Sequence, residues 1–252
     1  MELIKKIKQM KTQIIVLSLI FIYANCEDFI LNRSRSVKGN GKIVEKSISL
    51  SDIRNIENTG IFNIHINQGD KEEAKVKIDE NMLSYLSYSI EKNTISICSN
   101  GEFNFIPSKA DVYITLKVLE SVENTGVGNV DIDNFNSETN LEIENSGVGN
   151  VRINAIKAAN LIVENSGTGT VDLTGTTTKL KLENSGVGSV NSFDLQTDFA
   201  EIDNSGVGSV NVFAAKEINI SNDGMGSVIY KGNAVVKNLE ESGFGTVKKI
   251  VN

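Results

Sequence analysis

One histidine, two cysteines and a recurring acidic-amide pair are the residues of this 252-residue chain whose types could carry chemistry. His65 would serve as a general base, Cys98 as a nucleophile or metal ligand, and the carboxylates as acid-base pairs or cation ligands. His65 lies in Phe62-Asn-Ile-His-Ile-Asn67 and alternates with Ile64 and Ile66, which places it on the solvent side of a strand. No Ser-His-Asp arrangement assembles around it, and one histidine with one further cysteine cannot complete the usual zinc set. Cys98 follows Ser96 on the polar side of its run and reads as a structural thiol, since no nearby base would activate it. Neither a catalytic residue, nor a metal ligand set, nor a cofactor motif is assigned. The glycine-rich phrases lack the Lys-Ser/Thr that a phosphate-cradling loop requires.

The acidic-amide pair belongs to a repeat. Phrases close to Asn-Ser-Gly-Val-Gly-Ser-Val begin at Asn124, Asn145, Asn165, Asn184, Asn204, Asn222 and, degenerately, Glu241, and their first glycines fall 18 to 21 residues apart. The glycine pairs are Gly126/Gly128, Gly147/Gly149, Gly167/Gly169, Gly186/Gly188, Gly206/Gly208, Gly224/Gly226 and Gly243/Gly245. A fixed short period indicates stacked structural units. Runs before each pair, such as Leu161-Ile-Val163 and Leu180-Lys-Leu182, alternate apolar and polar, as do runs after it, such as Val151-Arg-Ile153 and Val210-Asn-Val212. Each repeat is therefore strand, glycine corner, strand, variable corner, the glycines allowing positive backbone angles.

Identical residues favour stacking in register. In a parallel coil the six asparagines from Asn124 to Asn222 lie above one another at about 4.8 Å and can hydrogen-bond into a ladder. Asn165 points inward by alternation from Leu161 and Val163, and such a ladder would satisfy its amide. The expected fold is all-β, a right-handed parallel β-helix-like solenoid of rungs about 20 residues long, with a twisted antiparallel β array as the alternative. The residues preceding the asparagine position, Glu123, Glu144, Glu164, Glu183, Asp203 and Glu240, then face outward as a solvated, screened acidic row, Ser221 being the exception. The period matches neither the calcium-binding nonapeptide nor the EF-hand loop. Between the glycines, Val127, Val148, Thr168, Val187, Val207, Met225 and Phe244 form a mostly apolar column. It either fills the corner, which is the expectation, or faces outward as a partner surface.

The first residues carry a different signal. Lys5, Lys6, Lys8 and Lys11 precede an apolar run from Ile14 to Tyr23, followed by Ala24-Asn25-Cys26, the layout of a secretory signal with its cleavage region. The apolar run is short for a bilayer span and ends on a cysteine, which resembles a relaxed bacterial lipoprotein box. Cys26 is thus the candidate lipidated mature N-terminus; Asn25, where Gly, Ala or Ser is usual, leaves cleavage without lipid or an uncleaved anchor open. Removing residues 1–25, with four lysines and Glu2, leaves 21 basic and 31 acidic residues, a net charge of -10. That balance excludes a nucleic-acid partner and makes the lipid the membrane contact. With Cys26 in that role there is no disulfide framework. The organisation read from the chain is signal peptide 1–25, lipidated N-terminus and tether 26–41, irregular β part 42–120 and regular repeats 121–252.

Within 42–120, alternating runs at Ile43 to Leu50, Phe62 to Asn67, Ala74 to Asp79, Tyr88 to Cys98 and Asp111 to Val118 read as strands, and Glu80 to Leu86 as a short helical turn covering an end. Glu57-Asn-Thr-Gly60 is a worn copy of the later phrase, so this half is expected to continue into the same solenoid. Ser51-Asp-Ile-Arg-Asn-Ile-Glu-Asn-Thr-Gly60, Phe62-Asn-Ile-His-Ile-Asn-Gln-Gly69, Val76-Lys-Ile-Asp-Glu-Asn81 and the rungs that follow resemble the head GIN domain family of putative auto-transporter adhesins, over Lys42 to Lys249. The resemblance implies an all-β, right-handed β-helix-like domain found in bacterial envelope lipoproteins. Three functions follow as expectations. The first is a non-catalytic, lipid-anchored adhesin-like or scaffolding protein at the outer membrane or cell surface, its partner an envelope protein or glycan. A sensory module for envelope stress is the second. A polysaccharide-active enzyme is the third, disfavoured because carboxylates repeat on every rung and tryptophan is absent.

Overall fold

The computed structural model describes residues 36–100 and 104–251. Cys26, the signal segment and most of the expected tether lie outside the described residues. Twenty strands follow in chain order. The irregular part holds β1 (Ser36–Lys38), β2 (Ile43–Ser49), β3 (Asn55–Asn58), β4 (Asn63–Gln68), β5 (Glu73–Asp79), β6 (Leu86–Glu91), β7 (Thr94–Ser99), β8 (Asn104–Ile106) and β9 (Ala110–Leu116). The repeats hold β10 (Ser121–Asn124), β11 (Val130–Asp133), β12 (Asn136–Asn145), β13 (Val151–Asn165), β14 (Val171–Asn184), β15 (Val190–Asn204), β16 (Val210–Phe213), β17 (Glu217–Asn222), β18 (Val228–Lys231), β19 (Val235–Glu241) and β20 (Val247–Lys249). They form a parallel β-solenoid of about six turns.

In-register pairing is what the repeated sequence produces. Val122 stands over Ile143, Ile143 over Val163, Val163 over Leu182, and Leu182 over Ile202. A second column runs Ile64, Val130, Val151, Val171, Val190, Val210 and Val228. These branched side chains are buried and fill the space between the rung faces. The variable corners are partly continuous strand, so that β13, β14 and β15 each run through from one glycine corner to the next.

The irregular part departs from simple continuation. β3 pairs in parallel with β10 through Asn58 and Asn124, 66 residues apart, and on its other edge with β7. Likewise β4 lies between β11 and β9. The β3/β4 rung is thus sandwiched between a rung that follows β9 in sequence and one that precedes β10, so spatial order and chain order differ. Antiparallel strands finish this end, β2 on β5 on β9 and β6 on β7. The expected single run Tyr88 to Cys98 is a hairpin: Lys92 and Asn93 both take positive φ, 47° and 67°, and reverse the chain between β6 and β7. Glu80–Tyr85 is a short 3-10 turn with Met82 buried beneath it. The end of the expected tether is part of the fold, since β1 pairs in parallel with β8.

A buried carboxylate ties this region together. Asp79 accepts hydrogen bonds from Gly41 N (2.7 Å), Ser108 N (2.8 Å), Ser108 Oγ (2.6 Å) and Lys109 N (3.3 Å). Burial alone pushes its carboxyl up, but these bonds, that of the Ser108 hydroxyl foremost, hold it below the usual carboxylate range.

Candidate binding surface

The amide column sits just inside each glycine corner. Asn58 Nδ2 donates to Asn124 Oδ1 at 2.9 Å, and the chain of donors continues through Asn145, Asn165, Asn184 and Asn204 to Asn222 at 2.8 to 2.9 Å per step. All seven are buried. Asn58 was not singled out by the sequence, although the worn copy Glu57-Asn-Thr-Gly60 carried its signal. Some second amide hydrogens hold the corner itself, Asn58 to Phe62 O at 3.0 Å and Asn124 to Gly128 O at 3.4 Å. At the other end Glu241 stands in register with Asn222, but its carboxylate accepts from Val247 N, and Asn222 Nδ2 is buried without a hydrogen-bond partner.

The glycines answer to rung stacking as well as to turning. In the corner Gly186-Val-Gly188 only Gly188 has positive φ, +151°, yet a Cβ on Gly186 would lie 2.2 Å from Gly167 O and one on Gly188 1.9 Å from Gly169 O. Val187 N donates to Gly167 O and Gly188 N to Val207 O, so one corner bonds to the rungs on both sides. The same pattern holds at Gly126, Gly128, Gly147, Gly149, Gly167, Gly169, Gly206 and Gly208. At Gly224, Gly226, Gly243 and Gly245 the preceding carbonyls are as close without the positive φ.

Because the asparagine amides occupy the inside of the corner, the residue between the glycines is forced out. Val127, Val148, Val187, Val207 and Met225 are 48 to 65% exposed and Phe244 is 92% exposed. The expectation that this column fills the corner is therefore overturned. It forms a straight apolar ridge, with Val127, Val148, Thr168, Val187 and Val207 bridged in register.

The acidic row runs beside the amide ladder on the opposite face of the same strands. Glu57, Glu123, Glu144, Glu164, Glu183 and Asp203 stack in register, followed by Ser221 and Glu240. They point outward, but stacking half-buries Glu57, Glu123, Glu164 and Glu183, so the fully solvated row expected from the sequence is not what forms. Burial, then Glu144 and Glu57, push the Glu123 carboxyl up to about 7. Glu144 is raised as well, by burial and then by Glu164 and Glu142. Lys181 pairs with Glu183. Among the described residues no group of three His, Cys, Asp or Glu side chains converges as a metal site.

His65 is more enclosed than its alternation suggests. Its ring stacks on Tyr113 with centroids 4.8 Å apart, Nδ1 lies 3.3 Å from Asp131 Oδ2 and Nε2 lies 4.0 Å from Asp111 Oδ1. This set ties β9, β4 and β11 together across the outer face. Asp111 stays below the usual range although burial pushes it up, because Asn63, Lys109 and His65 favour the carboxylate. Cys98 is buried, not displayed on a polar face.

No curated protein matches the chain. Among solved structures, a putative adhesin from Bacteroides fragilis is 28% identical, with 85% of this chain and 100% of that one covered at a TM-score of 0.81. A putative lipid binding protein from Parabacteroides distasonis is 23% identical over 86% and 100%, with a TM-score of 0.66. A putative adhesin from Parabacteroides merdae is 21% identical over the same shares, with a TM-score of 0.60. The last two likenesses concern the fold alone. A family model covers residues 53–234, and the chain belongs to that family, described as putative auto-transporter adhesin, head GIN domain.

Proposed function

We propose that this chain is a non-catalytic, lipid-anchored protein of the bacterial cell envelope whose solenoid serves as an adhesin-like binding scaffold. The observation that supports it most is the ridge of Val127, Val148, Val187, Val207 and Met225, displayed to solvent on the glycine corners. An apolar row held in line by a rigid backbone loses little conformational freedom on contact, which favours a binding surface. The family and the similar Bacteroides fragilis structure, both described as putative adhesins, point the same way. The enclosure of His65 and Cys98 within structural contacts gives no support to an enzyme. Anchoring rests on the lysines, the apolar run and Cys26; among the described residues no helix is long and apolar enough to cross a membrane.

Two measurements test the reading. Metabolic labelling with a clickable fatty acid should mark the wild type and not Cys26→Ala, and protease should remove the labelled protein from intact cells. Beads coated with the exported chain should attach saturably to intact cells of the same bacterium, and the double variant Val148→Asp, Val187→Asp should abolish attachment while remaining folded. Unchanged attachment by that variant would remove the ridge from the function.

A further inference from the structure

The variable corners shift register by a residue at several rungs, and the largest step among the repeats lies beside β15. Pairing between β14 and β15 runs through the variable corner, with Thr176 on Gln196 and Thr177 on Thr197. On the other side of β15 pairing with β16 stops at Ser192–Val212 and resumes with β17 at Phe199–Glu217. Six residues, 193–198, are thus faced by four, 213–216. The shorter corner is stitched on by Ala215 N to Thr197 O at 2.8 Å and Lys216 N to Asp198 O at 2.9 Å. The missing pair leaves a step, and at it lies an open groove of about 380 Å³ reaching back across β15 and β14 to β13.

The lining has a definite chemistry. Buried Ala158, Thr177 and Thr197 form the floor, and Thr176, Gln196 and Asp198 stand around it, with the half-buried Phe213 ring as one wall. The floor hydroxyls are buried and engaged, Thr177 Oγ1 donating to Lys179 O and Thr197 Oγ1 to Leu195 O, so the exposed Thr176, Thr178 and Gln196 side chains are the ones that offer donors and acceptors to a ligand. Asp198 is paired with Lys216 at 2.9 Å and the exposed Lys157 adds a cationic group at the β13 end of the lining, which disfavours a cation, while one lysine with a carboxylate in the same groove makes no phosphate site. Hydroxyl, amide, ammonium and carboxylate groups beside one aromatic face suit a polyhydroxyl ligand with an apolar C–H side, which is a pyranose. Successive rungs rise by about 4.8 Å, close to the advance of a sugar chain per unit, so an oligosaccharide lying along the solenoid axis meets Lys157, Thr176 and Gln196, three different polar groups in register on β13, β14 and β15. A peptide strand fits less well, because the unpaired step is only two residues wide and offers no extended edge.

The geometry points to a glycan-binding subsite at this step, separate from the glycine-corner ridge. The test titrates the exported Cys26→Ala chain with cellohexaose, chitohexaose, mannohexaose and xylohexaose, followed by calorimetry and saturation-transfer NMR. At least one sugar should bind saturably, and Phe213→Ala should weaken it tenfold or more. Gln196→Ala, at an exposed position that carries no risk to folding, should weaken it severalfold. Val148→Asp, Val187→Asp should leave sugar binding intact, which separates this subsite from the ridge. Binding by none of the four sugars, binding indifferent to both groove variants, or binding only of a peptide copying Val210–Lys216 would each overturn the proposal. New reducing ends would support the subsite while overturning the non-catalytic reading.

Discussion

The described residues up to 120 and residues 121–251 build the same kind of rung by different means. In the repeats, each rung is followed in space by the next in sequence, and identical residues stack on themselves: valine on valine, asparagine on asparagine, glycine against the carbonyl of the glycine before. In the irregular part the rungs are out of chain order, antiparallel strands cover the end, and the ties are unrepeated ones such as the Asp79 carboxylate with its four donors. The difference shows how a solenoid divides its stability. Repetition supplies many small equivalent contacts between neighbours, whereas the terminal part ends the stack by unique contacts of long sequence separation.

The sharpest way to break the contrast is at glycine. Gly188→Ala would put a methyl group 1.9 Å from the backbone oxygen of Gly169 at a φ of +151°, and backbone on both sides cannot yield, so a loss of about 4 kcal/mol or more is expected. Gly41→Ala, in the irregular part, also takes positive φ, +77°, but meets nothing within 4 Å, and should cost only about 1 kcal/mol. Urea midpoints of both variants would decide. Equal costs would mean that left-handed backbone, and not rung contact, is what selects these glycines.

Next in size is the carboxylate tie. Asp79→Ala removes the buried acceptor shared by the N–H groups of Gly41, Ser108 and Lys109 and the Ser108 hydroxyl, at an expected cost of about 3 kcal/mol for bonds to a charged group. Hydrogen exchange should rise in β1, β2, β5 and β8 and leave β13 to β15 protected. A uniform rise across the solenoid would show that the two regions unfold as one unit.

Asn165→Leu should cost less, about 1 to 3 kcal/mol, by leaving the Asn145 amide donor and the Asn184 acceptor unsatisfied. Here the damage should be confined to β13 and β14 with their neighbours, whereas Asn222→Leu, at a ladder end whose Nδ2 already lacks a partner, should cost distinctly less. An unchanged midpoint for Asn165→Leu would remove the ladder from the account of stability.

These contrasts also mark what the sequence made legible. Period and identity of the repeats led to a parallel solenoid of short rungs, because parallel in-register pairing is what identical neighbours favour and what β10 to β20 adopt. The direction of Val127, Val148, Val187, Val207, Met225 and Phe244 was misread. Alternation breaks at a glycine corner, and only the amide inside the corner decides which way the middle residue turns. The hairpin at Lys92 and Asn93 was hidden because neither is glycine, and the inverted order around β3 and β4 because strand patterning carries no information on which neighbour a strand selects. The groove at the step beside β15 was equally out of reach, although its cause, the shortest spacing between asparagines, from Asn204 to Asn222, stands in the sequence.

The smallest effect tests the price of repetition, since stacking identical residues also stacks identical charges. Glu123 faces Glu57 on one rung and Glu144 on the other, and its carboxyl is raised from 4.5 to about 7 by burial first and by those charges second. The folded state therefore holds this proton more tightly than the unfolded chain does. The stabilisation is fully present below the unfolded value and is lost as pH rises through the folded one. Asp79 and Asp111 act oppositely, their carboxyls being held low, so their contribution is lost only as pH falls below the ordinary aspartate range. Glu123→Gln should accordingly raise stability at about pH 8 by roughly 1 kcal/mol after allowance for solvent screening, and change little near pH 4.5. Glu144→Gln should follow the same sign with a smaller effect, its side chain being less buried than that of Glu123. Urea midpoints at the two pH values check this; a variant whose gain is equal at both would show that the row is screened like any surface charge and that in-register stacking carries no electrostatic penalty.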